Sequence, residues 1–174
     1  MAKTSVHQVK EDEKKILTAL QKYSKDNIDQ IAKSCGFSKQ KVWRYIKRFE
    51  EEQLIWGTNI TIDEHKLGKE KFLLLMKRSM KSPETKVIEE LAARNEPITK
   101  KTNVALQNAY YLHGDYDWAL IFIASNLNEA KNFCNGLLQE YPDIFTKLDL
   151  IQILYTEREQ FILNPDVTDF KKYL

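Results

Sequence analysis

Between Ile28 and Lys47 the chain carries two short amphipathic stretches separated by a glycine, and this arrangement restricts the fold more than any other segment. Ile31, Ala32, Cys35, Phe37, Val42 and Ile46 are spaced to share one interior, while Gly36 stands where the backbone must reverse. Two helices joined by a tight turn satisfy both requirements. The second helix then turns Gln40, Arg44 and Lys47 outward. That is how a helix-turn-helix offers one helix to a DNA groove.

At 174 residues the chain can bury a sizeable core, but its length is nearer two small domains than one large one. Hydrophobic residues at 43% and charged ones at 30% fit a soluble globular protein. A net charge of +2 is too small for indiscriminate binding to polyanions, so a nucleic-acid site has to come from local clustering. Such a cluster exists: Lys39, Lys41, Arg44, Lys47 and Arg48 follow Ser38 with no acid among them. No apolar run approaches the roughly 20 residues of a spanning helix, and the amino terminus lacks the apolar core of an export signal. A cytoplasmic protein without a membrane partner is expected. Cys35 and Cys134 have no His or Cys at metal-ligand spacing. They read as small core residues, with redox sensing as the alternative, and neither a metal nor a cofactor is expected.

The periodicity predicts a first helix from about Lys10 to Tyr23, with Ile16, Leu17 and Leu20 on one stripe and Glu11, Asp12 and Glu13 near its positive start. A second helix follows from about Asn27 to Cys35. Ser38 can cap a third that continues through Phe49, with Val42, Ile46 and Phe49 inward. Leu54 to Ile62 surrounds a Gly-Thr-Asn centre with apolar and β-branched residues and reads as a hairpin, the wing of a winged helix. Asp63 to Glu70, broken by Gly68, reads as a linker. Residues 1–66 are therefore expected to form a winged helix-turn-helix domain.

Beyond Lys71 the pattern becomes strand, helix, strand, strand, helix, strand. Phe72 to Arg78 is the first strand, and Ser82 and Pro83 open a helix that buries Val87, Ile88, Leu91 and Ala92. Val104 to Leu112 and Trp118 to Ala124 are strands on either side of the turn Gly114-Asp115-Tyr116-Asp117. Leu127 to Leu138 is a helix that Pro142 ends, and Phe145 to Thr156 is the last strand. This order describes an α+β protein whose residues 67–157 form a ferredoxin-like βαββαβ domain, with 158–174 as an extension. Leu148, Leu150, Ile151, Ile153 and Leu154 make both faces of the last strand apolar, yet the helices of such a fold cover only one. Self-association into a homodimer would cover the other, and so would a fold-back of Phe161 to Leu174.

These features together resemble the Lrp/AsnC family, the feast/famine regulators of bacteria and archaea. The first domain carries the resemblance through Ile16-Leu17, Ile31-Ala32, Gly36-Phe37-Ser38, Val42, Ile46, Leu54-Ile55 and Leu67-Gly68. The second carries it through Gly114-Asp115-Tyr116-Asp117, the apolar strand after it, and the helix and strand around Pro142. The chain departs from the family at Tyr45, where an arginine is usual, and at Gln53, where a glycine is usual. Its first-helix acids are shifted, and its tail from Arg158 runs past the usual end. The resemblance implies a DNA-binding transcriptional regulator whose second domain binds a small molecule, often an amino acid, near Gly114, Asp115, Tyr116 and Asp117.

On the third helix Gln40, Arg44 and Lys47 fall within an arc of about 60° opposite the inward stripe, flanked by Trp43 and Arg48. Gln40 and Arg44 are placed to meet base edges, Gln pairing with adenine and Arg with guanine. Lys39, Lys41, Lys47 and Arg48 suit phosphates, Ser38 caps the helix, and Trp43 suits either the sugar-phosphate edge or a neighbouring element. A dimer would favour a pseudo-palindromic double-stranded site with half-sites about one helical turn apart, or a multiple of it. In the turn, Asp115 or Asp117 can accept hydrogen bonds from an ammonium group; a plain polar hairpin with Tyr116 on the sheet is the alternative. A DNA-compacting protein would need the same residues. A siroheme-decarboxylase-like enzyme would have to use His113, Arg94 and Arg158, and no Ser-His-Asp or Gly-rich phosphate pattern accompanies them.

Overall fold

The computed structural model describes residues 6–23, 28–82, 84–93, 97–168 and 170–173. The chain divides into two compact units, residues 1–61 together with 157–174, and residues 62–156.

In the first unit three helices surround one small core. The α1 helix spans Val6–Tyr23, α2 spans Ile28–Cys35 and α3 spans Lys39–Glu51; Asn27 lies outside the described residues. Ile16, Ala19, Ile31, Ala32, Val42, Tyr45 and Phe49 form the buried cluster, with Leu17, Leu20, Ile28, Cys35, Phe37 and Ile46 packed around it. Gly36 has φ +70, and its backbone N–H donates to the Lys33 carbonyl. That left-handed backbone is why glycine serves at the reversal. Ser38 caps α3 by accepting a hydrogen bond from the Lys41 amide at 3.2 Å.

Two expectations are corrected in this unit. Because α1 begins at Val6 instead of near Lys10, Glu11, Asp12 and Glu13 fall beyond its first turn and do not complement its positive end. The hairpin over Leu54 to Ile62 is not formed: the chain between α3 and residue 64 carries no strand. Leu54, Trp56, Ile60 and Ile62 are all exposed there, and a lone ribbon with no surface to bury is marginal in water. After residue 157 a short antiparallel pair forms, β5 (Arg158–Glu159) with β6 (Ile162–Leu163), turning at Gln160 with φ 52.

The second unit is a four-stranded antiparallel sheet in the order β2-β3-β1-β4. Its elements are β1 (Glu70–Arg78), α4 (Thr85–Ala92), α5 (Pro97–Thr102), β2 (Ala105–Tyr111), β3 (Trp118–Ala124), α6 (Leu127–Glu140) and β4 (Phe145–Ile153). Strand alternation sends Phe72, Leu74 and Met76 to the helix side, opposite Phe122, Leu120 and Trp118. There they join Phe133, Leu137, Tyr141 and Ile144 in one core. Phe122 lies 5.5 Å from Phe72 and 4.8 Å from Phe133, ring to ring. The same alternation sends Leu73, Leu75, Ile121 and Ile151 to the opposite face. One end of that face is polar: Lys71, 4% exposed, pairs with Glu64 at 3.3 Å, and Glu64 accepts from Gln107 at 2.7 Å.

The helix predicted to bury Val87, Ile88, Leu91 and Ala92 is α4, but Ile88 and Leu91 are exposed, and among its described side chains Val87 alone reaches the core. Pro83, and the side chain of Ala92, lie outside the described residues. The unexpected α5 takes the place: Ile98 enters the core and packs on α6 at Gly136, where a Cβ would come within 2.3 Å of Ile98 Cδ1.

Candidate nucleic-acid interface

The α3 helix owes its orientation to two sets of contacts. Val42, Tyr45 and Phe49 are 0%, 7% and 1% exposed and fix its inner stripe. Tyr45, which stands where the resembled family has an arginine, is thus a core residue; its ring lies 6.0 Å from that of Phe49. Its place three residues after Val42 and four before Phe49 puts it on the inward stripe by helical spacing.

The second set joins α3 to α1. Asp12 is 2% exposed and accepts hydrogen bonds from Lys41 Nζ at 2.5 Å and from Gln8 Nε2 at 3.0 Å. The Lys41 hydrogen bond holds the Asp12 carboxyl below the usual carboxylate range, against the opposing effect of burial. The Lys41 ammonium also lies 3.9 Å from the centre of the Phe37 ring. Arg48 pairs with Glu13, reaches Glu52 at 3.7 Å and lies over the Tyr45 and Phe49 rings. Lys41 and Arg48, expected at phosphates, are therefore turned toward α1 and the end of α3. The acids that engage them were legible only as helix-start charges.

Gln40, Trp43, Arg44 and Lys47 are all exposed. Lys47 lies 5.5 Å over the Trp43 ring and 4.0 Å from Glu51. Lys39 pairs with Asp29 at 2.5 Å, yet its side chain remains 66% exposed. Ser38, Lys39, Gln40, Lys41, Trp43 and Arg44 come together with Ile28 and Asp29 along an open cleft at the amino-terminal ends of α2 and α3.

The turn in the second unit is pinned. Asp117 accepts from the Arg78 amide at 2.7 Å, and its own amide donates to the Met76 carbonyl at 2.9 Å. Tyr116 donates to Asp149, whose carboxylate also accepts from Lys147 Nζ at 2.7 Å. The Lys147 bond holds the Asp149 carboxyl below the usual range. Gly114, with φ +153, and Asp115 are left exposed at the tip. His113 and Arg158 are exposed, and Arg94 lies outside the described residues. Among the described residues no group of three or more His, Cys, Asp or Glu is arranged to hold a metal ion, and no helix is long and apolar enough to cross a membrane.

The family model for winged helix-turn-helix DNA binding matches residues 13–55, which span most of α1, all of α2 and α3, and the chain just beyond. Over 169 residues, 95% of this chain and 99% of the relative, the sequence is 28% identical to the regulatory protein AsnC of Haemophilus influenzae. The sequence is thus similar to an AsnC regulator along nearly its whole length. Solved structures share its fold. An AsnC family transcriptional regulator from Agrobacterium tumefaciens superposes with a TM-score of 0.64 at 19% identity, covering 90% of this chain and 97% of its own. A transcriptional regulator from Neisseria meningitidis, solved as an L-Met complex, superposes with a TM-score of 0.65 at 14% identity, covering 91% and 97%. Both units of the chain are thus matched in order across nearly their whole length.

Proposed function

We propose that this protein is a sequence-specific DNA-binding transcriptional regulator that inserts α3 into the major groove of double-stranded DNA. The observation that carries the reading is the outward arc of Gln40, Arg44 and Lys47 on a capped second helix whose other face is buried. Gln40 and Arg44 meet base edges, and Lys39 and Lys47 meet phosphates. Lys41 and Arg48 serve instead to hold α3 on α1. The protein acts in the cytoplasm as a homodimer or higher homo-oligomer, joined through the open sheet face of Leu73, Leu75, Ile121 and Ile151.

A small molecule with an ammonium group, such as an amino acid, modulates it at the tip of the turn. Because Asp117 and Tyr116 already have partners, Gly114 and Asp115 are the groups left for the ligand. Calorimetric titration with a panel of amino acids tests this part, and a flat response to all of them refutes it. Genome-wide footprinting tests the DNA reading. Discrete peaks that Arg44→Ala weakens, with binding to random duplexes kept, are the expected result. A continuous carpet of protection, or equal losses on specific and random duplexes, refutes it.

A further inference from the structure

The cleft at the start of α3 sets two apolar residues, Ile28 and Trp43, among polar and charged ones that include Gln40, Arg44 and the acid Asp29. Trp43 follows Val42, which is fully buried, and precedes Tyr45 by two positions, yet it is 55% exposed. Helical geometry turns it to the flank of the reading arc, on the side away from Lys41 and Arg48. It is braced there by the Lys47 ammonium at 5.5 Å from the ring centre. An exposed indole beside base-reading groups needs an apolar counterpart in the groove. Among the four base pairs the major groove offers one, the C5 methyl of thymine.

We infer that Trp43 selects thymine at one position of each half-site, through contact of its indole with the C5 methyl. The inference rests on the major-groove reading proposed above and deepens it. Gln40 and Arg44 select by hydrogen bonds, whereas Trp43 selects by excluding water from a methyl group. Its preference therefore vanishes when that methyl is removed, even though every hydrogen-bonding atom of the base pair remains.

The test uses the full chain and Trp43→Ala, each selecting from a random duplex library, followed by binding to the enriched site with deoxyuridine in place of each thymine in turn. At one thymine per half-site, deoxyuridine weakens wild-type binding about fourfold, and about fifteenfold when both half-sites are changed. Trp43→Ala is indifferent to those replacements while keeping the neighbouring preferences set by Gln40 and Arg44, which also reports that its fold is intact. Wild-type binding unchanged by deoxyuridine at every thymine overturns the inference and leaves the DNA reading standing. So does a Trp43→Ala variant that still pays the full penalty. A wild-type selection that enriches no motif overturns both.

Discussion

Asp12→Ala removes the anion that anchors α3 to α1, and its cost follows from the geometry. The carboxylate is 2% exposed and bonded to Lys41 Nζ at 2.5 Å, while the Lys41 side chain is 30% exposed. Removing one partner of a fully buried pair costs about 3 to 5 kcal/mol, mostly because the other charge is stranded. Here the lysine can reach water, so the cost is lower, about 2 to 3 kcal/mol. Amide hydrogen exchange of the full chain reads this locally: core amides of α1 and α3 exchange about 30 to 150 times faster, and those of β1 and β3 do not change. The effect also carries a pH signature. Lys41 lowers the folded carboxyl below its ordinary value of 3.8, so the stabilisation is complete above that value and is lost as pH falls through the lowered one. The difference between wild type and Asp12→Ala therefore narrows in strong acid. Exchange within twofold of wild type near neutrality, or a difference that persists unchanged in strong acid, refutes the reasoning.

Ile151→Lys places a charge on the open sheet face, opposite Leu73. A dimer formed through that face is weakened by roughly a hundredfold or more, and sedimentation velocity registers the shift to monomer; an unchanged sedimentation coefficient rules the face out. Gly136→Ala drives a Cβ toward Ile98 Cδ1, so overpacking of about 1 to 3 kcal/mol outweighs the helix-propensity gain of about 1 kcal/mol. Urea unfolding gives a net loss of about 1 kcal/mol, whereas a more stable variant shows that Ile98 yields freely. Tyr116→Phe removes a hydrogen bond to Asp149, so turn amides from Gly114 to Asp117 exchange faster while β3 amides do not change. Because Lys147 and Tyr116 lower the Asp149 carboxyl, the contrast is present above the ordinary carboxylate range and fades as pH falls through the lowered value.

The reading of the fold from sequence succeeded where one residue carried a local physical demand. Gly36 had to be left-handed, Ser38 had to cap, and the apolar run Trp118–Ala124 after its turn had to be a strand. It failed where the outcome depended on packing between elements. Six residues opening at Pro97 with one large apolar side chain, Ile98, give almost no periodic signal, yet α5 brings Ile98 into the core while Ile88 and Leu91 of α4 stay exposed. The segment from Leu54 to Ile62 has the composition of a wing, but only Ile55 packs on the core of the first unit while Leu54, Trp56, Ile60 and Ile62 stay exposed among the described residues. At the interface, helical spacing separated Gln40, Arg44 and Lys47 from the interior. It could not show that Lys41 and Arg48 have acidic partners, because Asp12 and Glu13 lie a whole helix away in sequence.

The ion pairs between α1 and α3 set how the protein responds to its ionic surroundings. Of the five cations from Lys39 to Arg48, four have an acid within 4.0 Å, and Lys41 and Arg48 are the two held against α1; on the proposed reading Lys39, Arg44 and Lys47 displace counterions from a duplex, Lys39 after giving up Asp29. With about three phosphates met per chain on that reading, the logarithm of the binding constant falls with a slope of about −2.7 per chain against the logarithm of salt concentration, where five would give about −4.5. Such a protein keeps a larger share of its grip as electrolyte rises, and its choice among sequences leans on base contacts more than on charge.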